Sequence, residues 1–282
     1  MSFVAIFIAV LLERFFDCSH LRNWNWYTKL QRLVVQKLPG QSPYVLLAGC
    51  IVPVFIALAV VDLVIYEMIF GFIHLVFSVI VLLYCFGPRN LWADSFACIN
   101  ALSDNDVSAT EEKLKVSFGV TDLRDPKAAG QSLLQKIFMQ ANARVFAIMF
   151  WYSITGFIGV IFYRLVAELI PSAGKEDVDP KLSNAARMIE SYMDWPAVRF
   201  FTLLFALGGN FSRVFTVWRS NLLLGTDTND FILTECGNAA LNSTHQDKTP
   251  AGGVAEKEAV NLIDRSLGIM LVVIFVLVFI IP

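Results

Sequence analysis

Three uncharged apolar runs of 19 residues, Pro43 to Val61, Met68 to Phe86 and Val145 to Tyr163, constrain this chain more than any other feature. At about 1.5 Å of rise per residue, each would extend about 28 Å as a helix, close to the ~30 Å hydrocarbon core of a bilayer. A fourth run, Leu267 to Ile281, has 15 uncharged residues and reaches across if Arg265 snorkels to the interface. Two weaker runs complete the set. Met1 to Leu12 continues as Phe15 and Phe16 past the interruption at Glu13-Arg14, and Pro196 to Phe211 carries Arg199 near its start. The composition agrees: 56% of the residues are apolar and 16% charged, whereas soluble domains run nearer a quarter charged. The expectation is an all-α, polytopic membrane protein of about six spans, with residues 1–282 forming a single membrane domain. The N-terminus lacks a basic n-region and a small-residue cleavage site, so it is expected to be retained.

Basic residues gather in cytoplasmic loops. Six spans place 17 of the 22 Lys and Arg on one side, whereas the four stronger spans alone divide them 12 to 10. Six spans with both termini outside are therefore expected, with cytoplasmic segments at 13–42, 87–144 and 210–266. In the first of these, Leu21, Trp24, Tyr27, Gln31, Val34 and Leu38 recur at helical spacing, interleaved with Arg22, Lys29, Arg32 and Lys37. This pattern suits a helix lying at headgroup level, with a core helix of a soluble part as the alternative. The segment 87–144 reads as cytoplasmic helices. Ser103-Asp104-Asn105-Asp106 is a turn leading into an N-cap, and Thr121-Asp122 with Asp125-Pro126 opens another helix. That helix continues without a breaker into the run at Val145. Residues 225–260 form a polar loop, with a short amphipathic helix followed by a linker through Thr249-Pro250-Ala251-Gly252-Gly253.

The net charge of -2 argues against nucleic acid as a partner, since neutralising phosphates takes a basic surface. No phosphate loop, H-E-x-x-H, C-x-x-C or G-x-S-x-G is present. His20, His74 and His245 lie in different segments without ligand spacing, so no metal site is expected. His74, inside a span, reads as a packing residue. The five cysteines imply no disulfide framework, and Cys50 and Cys85 read as small buried hydrophobes. The sequence names no cofactor and no oligomeric state.

Charges at span ends are more informative, because an ionised group at the bilayer centre costs about 2.5 to 3.5 kcal/mol on insertion scales and must pair, snorkel or line a cavity. Gln140 and Arg144 share a helical face, and Arg144 and Arg164 bracket one run. In the segment 182–194, Leu182, Ala186, Ile189 and Met193 form a stripe, with Asn184, Arg187, Glu190 and Asp194 on another face. Asp194 before Trp195-Pro196 is a candidate N-cap with proline in the first turn. Arg199 needs a partner from elsewhere, such as Glu13 or Glu190. The candidate ligand-binding set is Glu13, Arg14, Gln140, Asn142, Arg144, Trp151, Tyr163, Arg164, Glu190, Asp194 and Arg199. Purely structural pairing stands beside it as the alternative.

Leu-Leu-Glu13-Arg14-Phe, the Ser103 turn, Asn142-Ala-Arg144-Val-Phe-Ala-Ile-Met-Phe150-Trp151-Tyr152, Tyr163-Arg164, Asp194-Trp195-Pro-Ala-Val-Arg199 and Thr249-Pro250 occur in an order that resembles the AmpE family over nearly the whole chain. The resemblance implies a multi-pass protein of the cell inner membrane, regulatory or signalling in β-lactamase induction and linked to peptidoglycan recycling. With its charged span ends, the chain is expected to be a regulator of this type without classical catalysis, those ends forming a pocket for a small cell-wall-derived or nucleotide ligand. The chain is similar as well to CobD/CbiB, a membrane amide-forming synthase. The positions that match that enzyme's pattern are Met139-Gln140, Ala143-Arg144, Phe150-Trp151, Tyr163-Arg164 and Ala167-Glu168-Leu169-Ile170. The aromatic and arginine scaffold remains there, while most of the acidic positions an ATP-dependent ligase uses to hold Mg²⁺ are gone.

Overall fold

The computed structural model describes residues 2–16, 22–67, 71–87, 89–103, 107–119, 126–171, 179–241 and 253–280. The described residues are helical, with no strand among them. In chain order the helices are α1 (Ser2–Phe15), α2 (Asn25–Lys37), α3 (Pro43–Glu67), α4 (Gly71–Cys85), α5 (Leu91–Ser103), α6 (Val107–Phe118) and α7 (Pro126–Ala141). A π-helical turn (Asn142–Phe146) follows, then α8 (Ala147–Thr155), α9 (Phe157–Glu168), α10 (Pro180–Gly208), α11 (Phe211–Asn221), α12 (Asn229–Ala240) and α13 (Val254–Ile280).

The chain divides into two compact units, Met1–Phe86 with Trp151–Met193, and Gly87–Phe150 with Asp194–Pro282. In the first unit α1 packs on α4, α4 on α9 and α2 on α3. Ala5, Ile6, Ala9, Leu82 and Tyr163 fill its interior. The second unit is built around α7, which packs on α5, α6, α12 and α13. An aromatic ladder runs through it: Phe146 stacks on Phe201 at 3.6 Å between centroids, Phe201 meets Phe205 at 4.4 Å, and Phe205 meets Phe138 at 5.3 Å. Gly237 on α12 lets that helix approach the ladder, since a Cβ there would lie 2.4 Å from Phe138 Cε2.

Among the described residues, two helices are long and apolar enough to cross a membrane, Pro43–Val60 and Val254–Val278, with His74–Cys85 a shorter apolar helix. Their surfaces fit lipid: Val45, Val52, Ile56 and Val60 on the first, and Val272, Phe275, Val276 and Leu277 on the second, are exposed. An exposed, nearly all-apolar helix surface is favourable only where the solvent is apolar. The terminal helix is longer than the run that suggested it, beginning at Val254 rather than Leu267.

The expected six continuous spans are not reproduced. The run from Val145 to Tyr163 is two helices broken at Gly156, whose φ of 67° and ψ of -151° lie in a region essentially closed to residues with a Cβ. At 14 residues, α1 would reach only about 21 Å. Asp194 is not an N-cap, because α10 runs unbroken from Pro180 to Gly208 with Pro196 inside it. Asp179-Pro180 fills that role instead, Asp179 Oδ1 accepting from the backbone N–H of Lys181 at 2.8 Å and of Leu182 at 3.4 Å. Its proline stands in the first turn, where a missing N–H costs nothing.

Trp24, just before α2, is buried with Tyr27 and Gln31 of that helix, which exposes Trp26, Lys29, Arg32 and Leu33. Helices α5, α6 and α7 occupy the 87–144 segment, and α7 passes through the π turn into α8. The amphipathic helix of the 225–260 loop is α12. Asp104 to Asp106, Thr121 to Asp125 and 242–252 lie outside the described residues, as do Leu21 and Cys18. His74 is exposed on α4 rather than packed, while Cys50 and Cys85 are buried as expected.

Candidate functional site

The polar side chains singled out in the sequence fall into the two units, and within each they are held by specific partners. In the second unit the centre is the π-helical turn. Its wider coil places Asn142, Arg144, Val145 and Phe146 all in the interior. Such turns are rare and recur at functional sites.

Arg144 is 5% exposed and fully engaged. Nη1 donates to Asp94 Oδ2 at 2.9 Å, Nε to Gln140 Oε1 at 2.7 Å, and Nη2 to the Ser117 carbonyl at 3.0 Å. Asp94 also accepts from Ser117 Oγ at 3.2 Å and lies 3.7 Å from Arg89 Nε. The guanidinium therefore sits at the C-terminal end of α6, where unsatisfied carbonyls favour a cation. Gly87 admits the arginine: its N–H donates to the Arg144 carbonyl at 3.2 Å, and a Cβ there would fall 2.2 Å from Arg144 Cγ.

Arg199 repeats the arrangement at the end of α11. It donates to the Leu224 carbonyl at 2.9 Å, to the Leu222 carbonyl at 3.4 Å and to Asn229 Oδ1, and it lies 4.8 Å from the Trp195 ring centroid. The expected partners, Glu13 and Glu190, are not the ones it uses. Asn142 Nδ2 donates to Asp194 Oδ1 at 3.1 Å, while Asn142 Oδ1, buried, meets no donor among the described residues.

In the first unit Glu13 is buried against Arg22, which donates to it through Nη1 and Nη2 and to the Leu83 carbonyl through Nε at 2.8 Å. Arg164 pairs with Glu168 one turn further along α9. Tyr163 is fully buried, Trp151 and Glu190 are half-buried, and Arg14 is half-exposed on α1. Sequence reasoning missed Asp94, Arg22 and Asn229 as partners. The only local signal for Asp94 is its place in the first turn of α5, and it lies 50 residues from the arginine it pairs with.

Burial pushes the Cys98 thiol up to about 11, with the Asp94 carboxylate one turn away adding to the effect. Burial likewise pushes Cys236 up to about 12, with Glu235 reinforcing it. Both remain neutral thiols and weak nucleophiles. No group of three or more His, Cys, Asp or Glu arranged to hold a metal ion occurs among the described residues.

A family model described as "Regulatory signalling modulator protein AmpE" matches residues 1–281. The chain is also similar to a cobalamin biosynthesis protein CobD of Stutzerimonas stutzeri (strain A1501). The two are 26% identical over 166 residues, covering 57% of this chain and 54% of that protein. The chain thus spans about half the length of the curated relative it matches. No solved structure matches it.

Proposed function

The chain belongs to the AmpE family, and from that premise we propose that it is a multi-pass inner-membrane regulator of β-lactamase induction, coupled to peptidoglycan recycling through a small ligand. The match across residues 1–281 carries the regulatory reading. The apolar helices α3 and α13 support membrane residence. In this reading α1, α4, the α8–α9 pair and the second half of α10 supply the remaining crossings, and the basic segments 13–42, 87–144 and 210–266 face the cytoplasm.

The ligand site is the π turn of the second unit. Arg144, fixed by Asp94 and Gln140, shapes it, and Asn142 with Asp194 reads the ligand. Asn142 Oδ1 is an acceptor still to be matched, beside a carboxylate. A cell-wall-derived or nucleotide molecule presenting an N–H or ammonium group complements that pair. Arg199 serves as structural support. A strain deleted for this gene is expected to lose inducible β-lactamase expression and to regain it with the wild-type gene. Asn142→Ala should fail to restore induction at equal protein level. Unchanged induction in the deletion strain rejects the regulatory reading.

A second reading, a CobD/CbiB-like amide-forming synthase, rests on the 26% identity over 166 residues and on Tyr163-Arg164 with Glu168 one turn on. Complementation of a strain lacking that synthase discriminates the two. Growth without added cobinamide products would favour the enzyme, and failure despite membrane expression favours the regulator.

A further inference from the structure

The first unit gathers polar side chains in its interior that the regulatory reading does not use. Arg22, Trp24, Tyr27, Gln31, Arg164 and Glu168 are each more than nine-tenths buried. Arg22 is taken up by Glu13 and the Leu83 carbonyl. Gln31 Nε2 donates to the Glu168 carbonyl at 3.4 Å, and Arg164 gives Nη2 to the Glu168 carboxylate. Three donors are left over: Trp24 Nε1–H, the Tyr27 O–H and Arg164 Nε–H meet no acceptor among the described residues.

These residues adjoin one another. The Arg164 guanidinium carbon lies 5.8 Å from the Trp24 ring centroid, and the Tyr27 ring stands edge-on to the same indole at 6.2 Å. A buried donor without an acceptor carries its full desolvation penalty, and native interiors keep few such groups. Three around one indole point to a partner rich in acceptors. The Nε–H and an Nη2–H lie on one edge of a guanidinium, the edge that grips two oxygens of an oxyanion. Glu168 occupies only the Nη2 half of that edge. Burial raises the Tyr27 phenol far above its usual range, so it stays protonated and can donate at any physiological pH.

We propose that the first unit binds a phosphate group through Trp24 Nε1–H, Tyr27 O–H and Arg164 Nε–H. A phosphate group offers three acceptor oxygens in different directions, one for each donor, where a carboxylate offers two in a plane. Arg22 with Glu13 and Arg164 with Glu168 cancel in charge, so the three hydrogen-bond donors, rather than a net positive charge, are what the site offers a phosphate monoester. Trp24, at the start of α2, and Tyr27 on it are buried, while the helix's outer side exposes Trp26, Lys29, Arg32 and Leu33. That outer side is the residue set of a helix at headgroup level. A lipid headgroup and a soluble phosphate ester are the two sources of the same chemistry. The inference holds or fails independently of the regulatory reading.

The test uses the full chain, delipidated in detergent. Inorganic phosphate is titrated by calorimetry, and short-chain phosphatidic acid, whose headgroup is a phosphate monoester, is titrated by native mass spectrometry. At least one probe is expected to bind the wild type saturably. Tyr27→Phe and Trp24→Phe are each expected to weaken that binding by about tenfold, the loss of one hydrogen bond to a charged group. Binding of phosphate identifies a soluble ester as the source, and binding of the lipid alone identifies a headgroup. Tyr27→Phe removes only a hydroxyl that has no acceptor in the unliganded protein, so its unliganded Tm should hold or rise. Absence of saturable binding by both probes overturns the proposal, as does binding that both variants leave unchanged. A fall in the unliganded Tm of Tyr27→Phe overturns it too, by showing that the hydroxyl already has a partner.

Discussion

Asp94 illustrates how a buried charge in this protein is managed. Arg144 is taken out of water at the π turn, where Asp94 pairs with it and Gln140 and the Ser117 carbonyl accept further hydrogen bonds. Breaking a buried pair leaves an uncompensated charge and typically costs about 3 to 5 kcal/mol, whereas replacing both partners by apolar groups is often near neutral. Asp94→Ala is therefore expected to destabilise the protein by that amount in a denaturant titration, and Asp94→Leu with Arg144→Met to recover most of the loss. Equal damage by the single and double variants would show that the pair contributes more than mutual neutralisation. The cysteines give a second residue-scale expectation. Cys98 and Cys236 are fully buried and their thiols titrate near 11 and 12, so neither should be alkylated by a maleimide at about pH 8 in the folded protein. Both should react after denaturation, as peptide mass spectrometry would read. Rapid labelling of either in the native state would contradict the packing described.

At the scale of elements, two glycines set how helices end and meet. Gly156 separates α8 from α9 with a backbone conformation that other residues reach only at a cost of about 1 to 3 kcal/mol. Gly156→Ala is expected to lower stability by that amount in thermal unfolding, although no neighbour lies within 4 Å of the added Cβ. Gly237 works through contact instead: its substitution by Ala forces the Phe138 ring, and with it the ladder through Phe205 and Phe201, to move. Overpacking of this kind costs about 1 to 3 kcal/mol. A Gly237→Ala protein as stable as the wild type would mean that α12 slides freely on α7. The two arginines at helix ends share one logic. Arg144 closes α6 and Arg199 closes α11, each supplying donors where carbonyls lack them and a positive charge where the helix dipole is negative.

For the whole molecule, the distribution of basic residues bears on orientation. If the six crossings proposed above hold, the loop around Asn242 is cytoplasmic, and alkaline phosphatase fused there should be inactive while a cytoplasm-active reporter at the same point is active. Phosphatase activity at Asn242 would reverse the orientation and with it the side from which a ligand reaches the π turn. The low charge content makes this assignment sensitive, since each Lys or Arg displaced from one side to the other weighs heavily among 22.

Much of this protein could be read before any coordinates. Apolar runs and the helical spacing of Trp24, Tyr27 and Gln31 are local properties of the chain, and they brought out the all-helical class, the membrane-length helices α3 and α13, and the two faces of α2. Of the charged residues singled out at the ends of the apolar runs, Arg144, Arg164, Arg199 and Glu13 are buried and paired. Their partners were out of reach, because Asp94, Arg22 and Asn229 come to them through packing across 9 to 50 residues of chain, where spacing carries no signal. The break at Gly156 was hidden for a related reason. Hydropathy records whether a residue tolerates lipid and says nothing about φ, so a glycine in an apolar run looks the same whether it continues a helix or ends one. Capping followed the same rule: Asp179-Pro180 and Asp194-Trp195-Pro196 present similar chemistry, and only the packing of Leu182, Ala186 and Met193 into the interior, one turn after another, carries α10 through the second and starts it at the first. The donors left open at Trp24, Tyr27 and Arg164 belong wholly to the folded state, since a hydrogen bond goes unmet only once burial has removed the water that would have met it.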